Sequence, residues 1–265
     1  MAKKKEWEDL ELKDDFMFAK VMRNPEICKE TLEKLLNIEI ERIEYPEEQK
    51  VIDITTDGRS VRLDVYVKDD KQTVYDMEIQ TTNTRELPKR SRYYQGMLDL
   101  NLIEKGESFK KLNTSYIIFI CTFDLFGKGF HRYTFSHLCE EDPTVLLEDE
   151  ATKIFFNTEG TANDVNSEVK AFLDLVGGRK TDNEFSEKIL KEVERIKENK
   201  EWRRDYMTLW LRDLENREEG REEGKKDMVL ALLKQGILSR EEIASVAELT
   251  IEQLEEMEKQ LLETV

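Results

Sequence analysis

Two neighbouring segments in the first third of the chain alternate between apolar and polar residues, and they constrain the fold more than any other feature. In residues 61–68 and 73–81 every second residue is apolar: Val61, Leu63, Val65, Val67, Tyr75, Met77 and Ile79. Successive side chains of a strand point to opposite faces, so the pattern predicts two strands sharing an apolar core face. Together with residues 50–56 and the hairpin signal Asp57-Gly58, they predict a three-stranded antiparallel meander.

Helices and one further strand flank these segments. Residues 6–37 are predicted to form two short helices, the second starting at Pro25 behind the N-cap residue Asn24. Another helix is predicted over residues 85–106. Six consecutive apolar residues, 116–121, are typical of a strand buried on both faces. The order helix, three strands, helix, strand predicts an α/β core.

The last hundred residues have a different pattern, helical and rich in charge. Residues 217–226 form a glutamate-rich segment with a Gly-x-x-x-Gly spacing. Ser239 and Thr250 each begin a capping-box pattern, which predicts two short helices resembling a helix-turn-helix or any small helical hairpin. We therefore predict a core over residues 1–160 and a helical C-terminal region over residues 161–265.

The helical region also contains an apolar stripe at helical spacing, formed by Trp202, Tyr206, Leu209 and Trp210. Such a stripe is compatible with an internal core and with a seam between subunits. Glycine costs a helix about 1 kcal/mol relative to alanine, so the two glycines suggest either a compensating close contact between helices or a deliberate loosening of the helix. We expect a homo-oligomer formed through the C-terminal helices.

The composition restricts the possible partners and compartment. Forty-two Lys and Arg residues stand against 59 Asp and Glu, and this net charge of −17 excludes a uniformly basic surface for nucleic acid. There is no apolar run of membrane-spanning length, no apolar leader, and no paired spacing among the three cysteines. The sequence predicts a cytoplasmic protein without a membrane partner. His131 and His137 have no ligand pattern and are expected at the surface.

The polar faces of the two alternating strands contain the candidate chemistry. Asp64 lies on one strand, and Asp76, Glu78 and Gln80 share a face of the next. A three-residue turn places Asp64 directly opposite Glu78, with Cβ atoms about 5 Å apart. Two carboxylates at that distance repel unless a cation lies between them, and oxygen ligands partly open to water suit Mg²⁺ or Mn²⁺. Solvent-facing charges on a half-exposed sheet would give the same pattern.

A basic strip on the following predicted helix adjoins this acidic pair. Its basic and aromatic residues are Lys89, Arg90, Arg92, Tyr93 and Tyr94. Hydrolysis of a phosphodiester combines a metal at the scissile phosphate with basic groups along its flanks. Nucleic acid is therefore the indicated partner, with Lys89, Arg90, Arg92 and Tyr94 as candidate contact residues. A solvated helix face, and core packing of the two tyrosines, remain compatible with the same residues.

An Asp followed by Glu-x-Gln on adjacent strands, within the order αβββαβ, resembles the PD-(D/E)XK nuclease fold. More narrowly, the chain resembles the PD-(D/E)XK nuclease family transposases, also called Rpn recombination-promoting nucleases. The matching segments are residues 15–18, 64, 76–80, 90–94, 105–109 and 118–126. The resemblance implies a restriction-endonuclease-like core with a mixed sheet flanked by helices, and a Mg²⁺-dependent DNA endonuclease associated with mobile-element recombination. The alternative is a catalytically inactive nuclease fold that acts as an interaction or regulatory module through its helical tail.

The resemblance also implies roles for individual residues. Asp64 and Glu78 correspond to the main metal ligands for Mg²⁺ or Mn²⁺, and the backbone carbonyl of Ile79 to a third. Gln80 stands where many relatives of the wider fold have a catalytic lysine, and a neutral amide orients water or phosphate but is no general base. Asp15 corresponds to an acidic residue of the first helix, and an ordinary acid at a helix N-terminus is the alternative.

Overall fold

A computed structural model describes residues 5–45, 51–52 and 61–262 of the protein. The predicted turn at Asp57-Gly58 lies outside the described residues. The chain divides into two compact units, the first ending at Trp202 and the second starting at Arg203.

The secondary structure elements follow one another in a mixed order. The strands are β1 (Ile43–Glu44), β2 (Val51–Ile52), β3 (Val61–Arg62), β4 (Val65–Asp69), β5 (Val74–Gln80), β6 (Ser115–Cys121), β7 (Arg132–Phe135) and β8 (Ala151–Asn157). The helices are α1 (Asp15–Val21), α2 (Pro25–Leu36), α3 (Leu87–Leu102), α4 (Ser167–Val176), α5 (Glu184–Lys197), α6 (Lys200–Gln235), α7 (Arg240–Val246) and α8 (Ile251–Leu262).

A six-stranded mixed sheet in the order β1-β4-β5-β6-β8-β7 forms the centre of the first unit. Strand β5 runs parallel to β6, and β6 runs parallel to β8, whereas the other pairs are antiparallel. Parallel neighbours need a crossover connection, and α3 provides it between β5 and β6. The predicted α/β class is confirmed.

The predicted three-stranded meander is divided between two sheets, although residues 51–52 pair with residues 61–62 in antiparallel fashion as predicted. Strands β2 and β3 form a separate two-stranded sheet, while β4 pairs with β1 and β5. The predicted strand over 61–68 is interrupted between β3 and β4 because the backbone N–H of Asp64 donates to a side-chain oxygen of Glu78 (3.0 Å). A backbone donor used in this way is lost to a β-ladder.

Helix ends follow the sequence signals at some places and not at others. The side chain of Asn24 accepts hydrogen bonds from the backbone of Glu26 and Ile27, so the predicted cap of α2 is confirmed. Helix α3 has its proline in the first turn as expected, but it ends at Leu102, earlier than predicted. The next residue is already extended, and Gly106 adopts φ +93° in the following loop, where a side chain would be strained.

Helices cover the sheet so that β4 and β5 are buried on both faces. Helix α3 contributes Tyr94 and Leu98 to an apolar cluster with Tyr66, Phe119 and Phe155 of the sheet. Helix α1 packs against β5 and also contacts α5. Alternation alone indicates a sheet with one exposed face. In the structure both faces are buried, because α3 folds back over the polar face.

Helices α4 and α5 belong to the first compact unit, together with the predicted core of residues 1–160. Lys34 of α2 pairs with Glu168 of α4 at 2.9 Å. The indole N–H of Trp7 donates to the carbonyl of Lys197 at the end of α5 (2.9 Å). These two contacts connect the N-terminal part of the first unit with its last helices, α4 and α5.

The second unit is helical, with a small apolar core. That core consists of Val229, Ile243, Ala244, Ala247 and Leu254. The predicted capping boxes at Ser239 and Thr250 are confirmed. Each hydroxyl accepts a hydrogen bond from the backbone N–H three residues on, and the backbone N–H of Ser239 or Thr250 donates to the side chain of Glu242 or Gln253. Gly220 and Gly224 are exposed, and a Cβ added at either would meet no atom within 4 Å.

Candidate active site

The β4–β5 hairpin brings Asp64 and Glu78 together. The register pairs Val65 with Met77, and continuing it by one residue places Asp64 opposite Glu78, as the turn length predicts. Hydrogen bonds between backbone and side chains also connect the two strands at these residues. The backbone N–H of Asp64 donates to Oε1 of Glu78 (3.0 Å), and the N–H of Ile79 donates to Oδ2 of Asp64 (3.4 Å). The two carboxylates are therefore held at neighbouring positions by the backbone of the partner strand.

Two carboxylates of β5 are completely buried under α3. Asp76 and Glu78 are both 0% exposed, and neither oxygen of Asp76 has a hydrogen-bond partner among the described residues. Burial, followed by the negative charge of Asp64, raises the pKa of Asp76 well above its usual range. Burial and the charges of Asp76 and Asp64 raise the pKa of Glu78 likewise. The cluster concentrates negative charge where water cannot screen it.

The cation that contacts this cluster in the structure is the guanidinium of Arg90 on α3. Its Nη2 lies 3.0 Å from Oε2 of Glu78, and its Nη1 donates to Oε1 of Gln80 (3.1 Å). Its Nε donates to the hydroxyl of Tyr94 (2.8 Å), and the guanidinium also lies over the Tyr94 ring. Arg90 thus connects the acidic pair, the amide and the helix.

Burial changes the interpretation of several predicted residues. Complete burial of Glu78 excludes an ordinary solvent-facing charge at that position. Gln80 is half-buried, and the hydrogen bond from Arg90 orients its amide. The backbone N–H of Ile79 donates to the carboxylate of Asp64. Asp76 also belongs to the site, although no role was predicted for it from the sequence. Its signal was the two-residue spacing that places it on the face of Glu78.

The remaining predicted residues lie at α1 and α3. Asp15 is exposed, and its carboxylate accepts the backbone N–H of Phe16 (2.8 Å), as an acid at a helix N-terminus does. Lys89 and Arg92 are exposed on α3. Tyr94 is only 6% exposed, so its ring cannot stack on a base; it packs against the core and holds Arg90. That corrects its assignment as a DNA-contacting residue.

A second polar pair lies away from these carboxylates. His131 is 1% exposed, which corrects the expectation of a surface residue, and its Nδ1 lies 2.8 Å from Asp164. Burial opposes ionisation of Asp164, but hydrogen bonds from His131 and the backbone of Arg132 outweigh it and lower its pKa. A Cβ at Gly160 would meet the imidazole at 2.5 Å. His137 is exposed and pairs with Asp149.

The donor set around Asp64 suits a hard divalent cation. All of its side-chain acceptors are oxygens, the ligand type that Mg²⁺ and Mn²⁺ prefer, and within the residues that the structure describes the buried oxygens of Asp76 have no hydrogen-bond partner. Among the described residues, no three His, Cys, Asp or Glu side chains are arranged as a ready-made metal site. The residues therefore fit a divalent ion by their chemistry, while the pair between Arg90 and Glu78 occupies the cluster.

One of the comparisons with known proteins identifies a family. A family model, described as PD-(D/E)XK nuclease family transposase, matches residues 12–208. The chain belongs to this family. No curated protein and no solved structure gives a significant match. Across the described residues, no helix combines the length and apolar character that a membrane crossing requires.

Proposed function

We propose that the protein is a Mg²⁺- or Mn²⁺-dependent DNA endonuclease that hydrolyses phosphodiester bonds, associated with mobile-element recombination and acting in the cytoplasm. The observation that carries the proposal is the carboxylate cluster on the β4–β5 hairpin, where Asp64 faces Glu78 and the buried carboxylate of Asp76 has no hydrogen-bond partner in the described part of the chain. PD-(D/E)XK nucleases generally use divalent metals, and a cation of that kind would neutralise such a cluster.

In this proposal each residue of the hairpin has a distinct role. Asp64, Glu78 and the carbonyl of Ile79 would hold the metal, and Asp76 would add negative charge behind them. A divalent ion there supplies positive charge to the scissile phosphate and lowers the pKa of the attacking water. Gln80, whose amide oxygen is held by Arg90, orients water or phosphate. Asp15 is proposed to assist from the start of α1.

The experiment that tests the proposal is cleavage of supercoiled plasmid by the wild-type protein over a titration of Mg²⁺ and of Mn²⁺, with a chelator as the blank. We expect nicked and linear products that appear only with metal. No cleavage with either metal, combined with unchanged folding, would favour the alternative of an inactive nuclease fold that acts through its helical tail.

DNA binding is proposed to use the exposed basic residues of α3. Because phosphate contacts release counterions, affinity should fall steeply with salt. We expect Lys89→Ala with Arg92→Ala to weaken binding equally for unrelated DNA sequences and to lower the slope of log K against log salt by about 2, since each phosphate contact contributes about 0.9. Fluorescence anisotropy in a metal-free buffer measures both effects.

The matched control for this pair is Arg217→Ala with Arg221→Ala on the exposed glutamate-rich part of α6, which removes the same charge elsewhere. If both double variants lower the slope equally, or neither does, α3 is not the DNA-binding surface.

Self-association is proposed to use the C-terminal helices. Helix α6 has an exposed stretch that includes the large apolar residues Leu211 and Leu214. Gly220 and Gly224 follow this stretch. We expect sedimentation to give an oligomer for the full chain and a lower mass after Leu211→Glu with Leu214→Glu. A monomeric wild-type protein would refute this role.

A further inference from the structure

Arg90, which contacts the acidic cluster, is paired with a buried carboxylate. An arginine that only binds DNA would not need such a pair. The side chain of Glu78 is 1% exposed, whereas that of Arg90 is 35% exposed. Arg90 is therefore the solvent-accessible partner in a pair whose other member is shut away from water. Oε2 of Glu78, which accepts from Arg90, becomes available to another cation only if this pair opens.

The contacts of Arg90 divide into two groups with different consequences. One group, to Glu78 and Gln80, involves the two terminal nitrogens and neutralises the acidic cluster. The other group, from Nε to the hydroxyl of Tyr94 and from the guanidinium to its ring, fixes the arginine on its own helix. If the contacts to Glu78 and Gln80 are lost, the contacts to Tyr94 still hold Arg90 on its helix.

We propose that Arg90 is a displaceable internal counter-ion that competes with the divalent metal for Glu78 and thereby sets the metal affinity of the site. The inference rests on the proposed function, since it concerns the same carboxylates. The metal-free protein keeps Glu78 neutralised through Arg90, and metal binding requires the Arg90–Glu78 hydrogen bond to break. Arg90 thus acts by positioning the side chain of Glu78 in the metal-free protein.

The test compares Mn²⁺ binding with metal-free stability, measured by titration calorimetry and by thermal unfolding in a chelator. For Arg90→Met we expect a dissociation constant for Mn²⁺ at least about tenfold lower than in the wild type, because the competing charge-assisted hydrogen bond is gone. The same variant should unfold at a lower temperature without metal, since the carboxylates lose their counter-ion. Opposite changes in these two quantities are the signature of competition.

A second variant guards against loss of folding. Tyr94→Phe keeps the buried ring and the charge of Arg90 but removes the hydroxyl that holds its Nε, and it should lower the Mn²⁺ dissociation constant a few-fold. Arg85→Met, an exposed arginine just before α3, is the matched control and should leave metal binding unchanged.

Each result separates the two proposals. Equal Mn²⁺ affinity in the wild type, Arg90→Met and Tyr94→Phe overturns the counter-ion inference and leaves the metal-dependent nuclease standing. Weaker binding in both variants also overturns it, since Arg90 would then support the metal. Absence of binding in every protein at millimolar Mn²⁺ overturns both.

Discussion

Asp64→Asn and Glu78→Gln are each expected to lower the rate of Mg²⁺-dependent plasmid cleavage by more than about a hundredfold. Groups that only orient a metal ligand already contribute about 10–100-fold to metal affinity or activity, so loss of a ligand itself should exceed that range. Both changes replace a carboxylate by an amide of nearly the same shape. The amide oxygen in Asp64→Asn can still accept the backbone N–H of Ile79, so the fold should survive.

Rates from plasmid nicking at saturating Mg²⁺, with circular dichroism to verify folding, measure this effect. Asp142→Asn is the matched control because it makes the same chemical change in an exposed loop, where the carboxylate accepts hydrogen bonds from the backbone and the hydroxyl of Thr144. We expect its rate to equal the wild type. If Asp64→Asn and Glu78→Gln both retain more than about a tenth of the rate, a ligand role for these carboxylates is excluded.

The pairing of Asp64 with Glu78 could be predicted because hairpin geometry is local. Side chains alternate with a period of two and the turn length sets the register, so counting residues is enough to place the two carboxylates opposite each other. The same local rules predicted the cap at Asn24 and the capping box at Ser239. These features depend on residues only a few positions apart.

The burial of the site could not be predicted, because it depends on tertiary packing. Alternation gives β5 one polar face, but whether that face meets water depends on where α3 folds. The Arg90–Glu78 pair has the same origin, since its members lie on different elements. The His131–Asp164 contact spans 33 residues, beyond the reach of any periodicity. Local pattern rules carry no information on such contacts.

Replacing Asp76 by asparagine is expected to stabilise the metal-free protein at neutral and alkaline pH, which is unusual for a change at a fully buried residue. The carboxylate has no hydrogen-bond partner among the described residues, so its charge is uncompensated apart from the Arg90 guanidinium near it. An uncompensated buried charge costs several kcal/mol, whereas a neutral amide costs less. We expect Asp76→Asn to raise the free energy of unfolding at about pH 8 by about 1–3 kcal/mol.

The pH dependence follows from the raised pKa values of Asp76 and Glu78. Burial raises both pKa values in the folded protein, whereas the unfolded chain has ordinary values near 4. Between the unfolded and folded values the native state binds more protons than the unfolded state, so stability falls as pH rises through that window. The gain from Asp76→Asn should therefore be large at about pH 8 and small near pH 4, where the wild-type carboxyl is protonated in the folded protein and about half protonated in the unfolded chain.

Asp69→Asn provides the contrasting control for this measurement, made by urea unfolding in a chelator. Asp69 is also buried, but its carboxylate accepts hydrogen bonds from the backbone of Lys71 and Thr73 and from the hydroxyl of Tyr75. An amide there loses acceptor capacity, so this variant should be destabilised by about 1–2 kcal/mol. Two buried aspartates on neighbouring strands should thus respond with opposite signs. Destabilisation of Asp76→Asn at both pH values would mean that the Asp76 carboxylate is compensated, and it would remove the electrostatic argument for a cation at the hairpin.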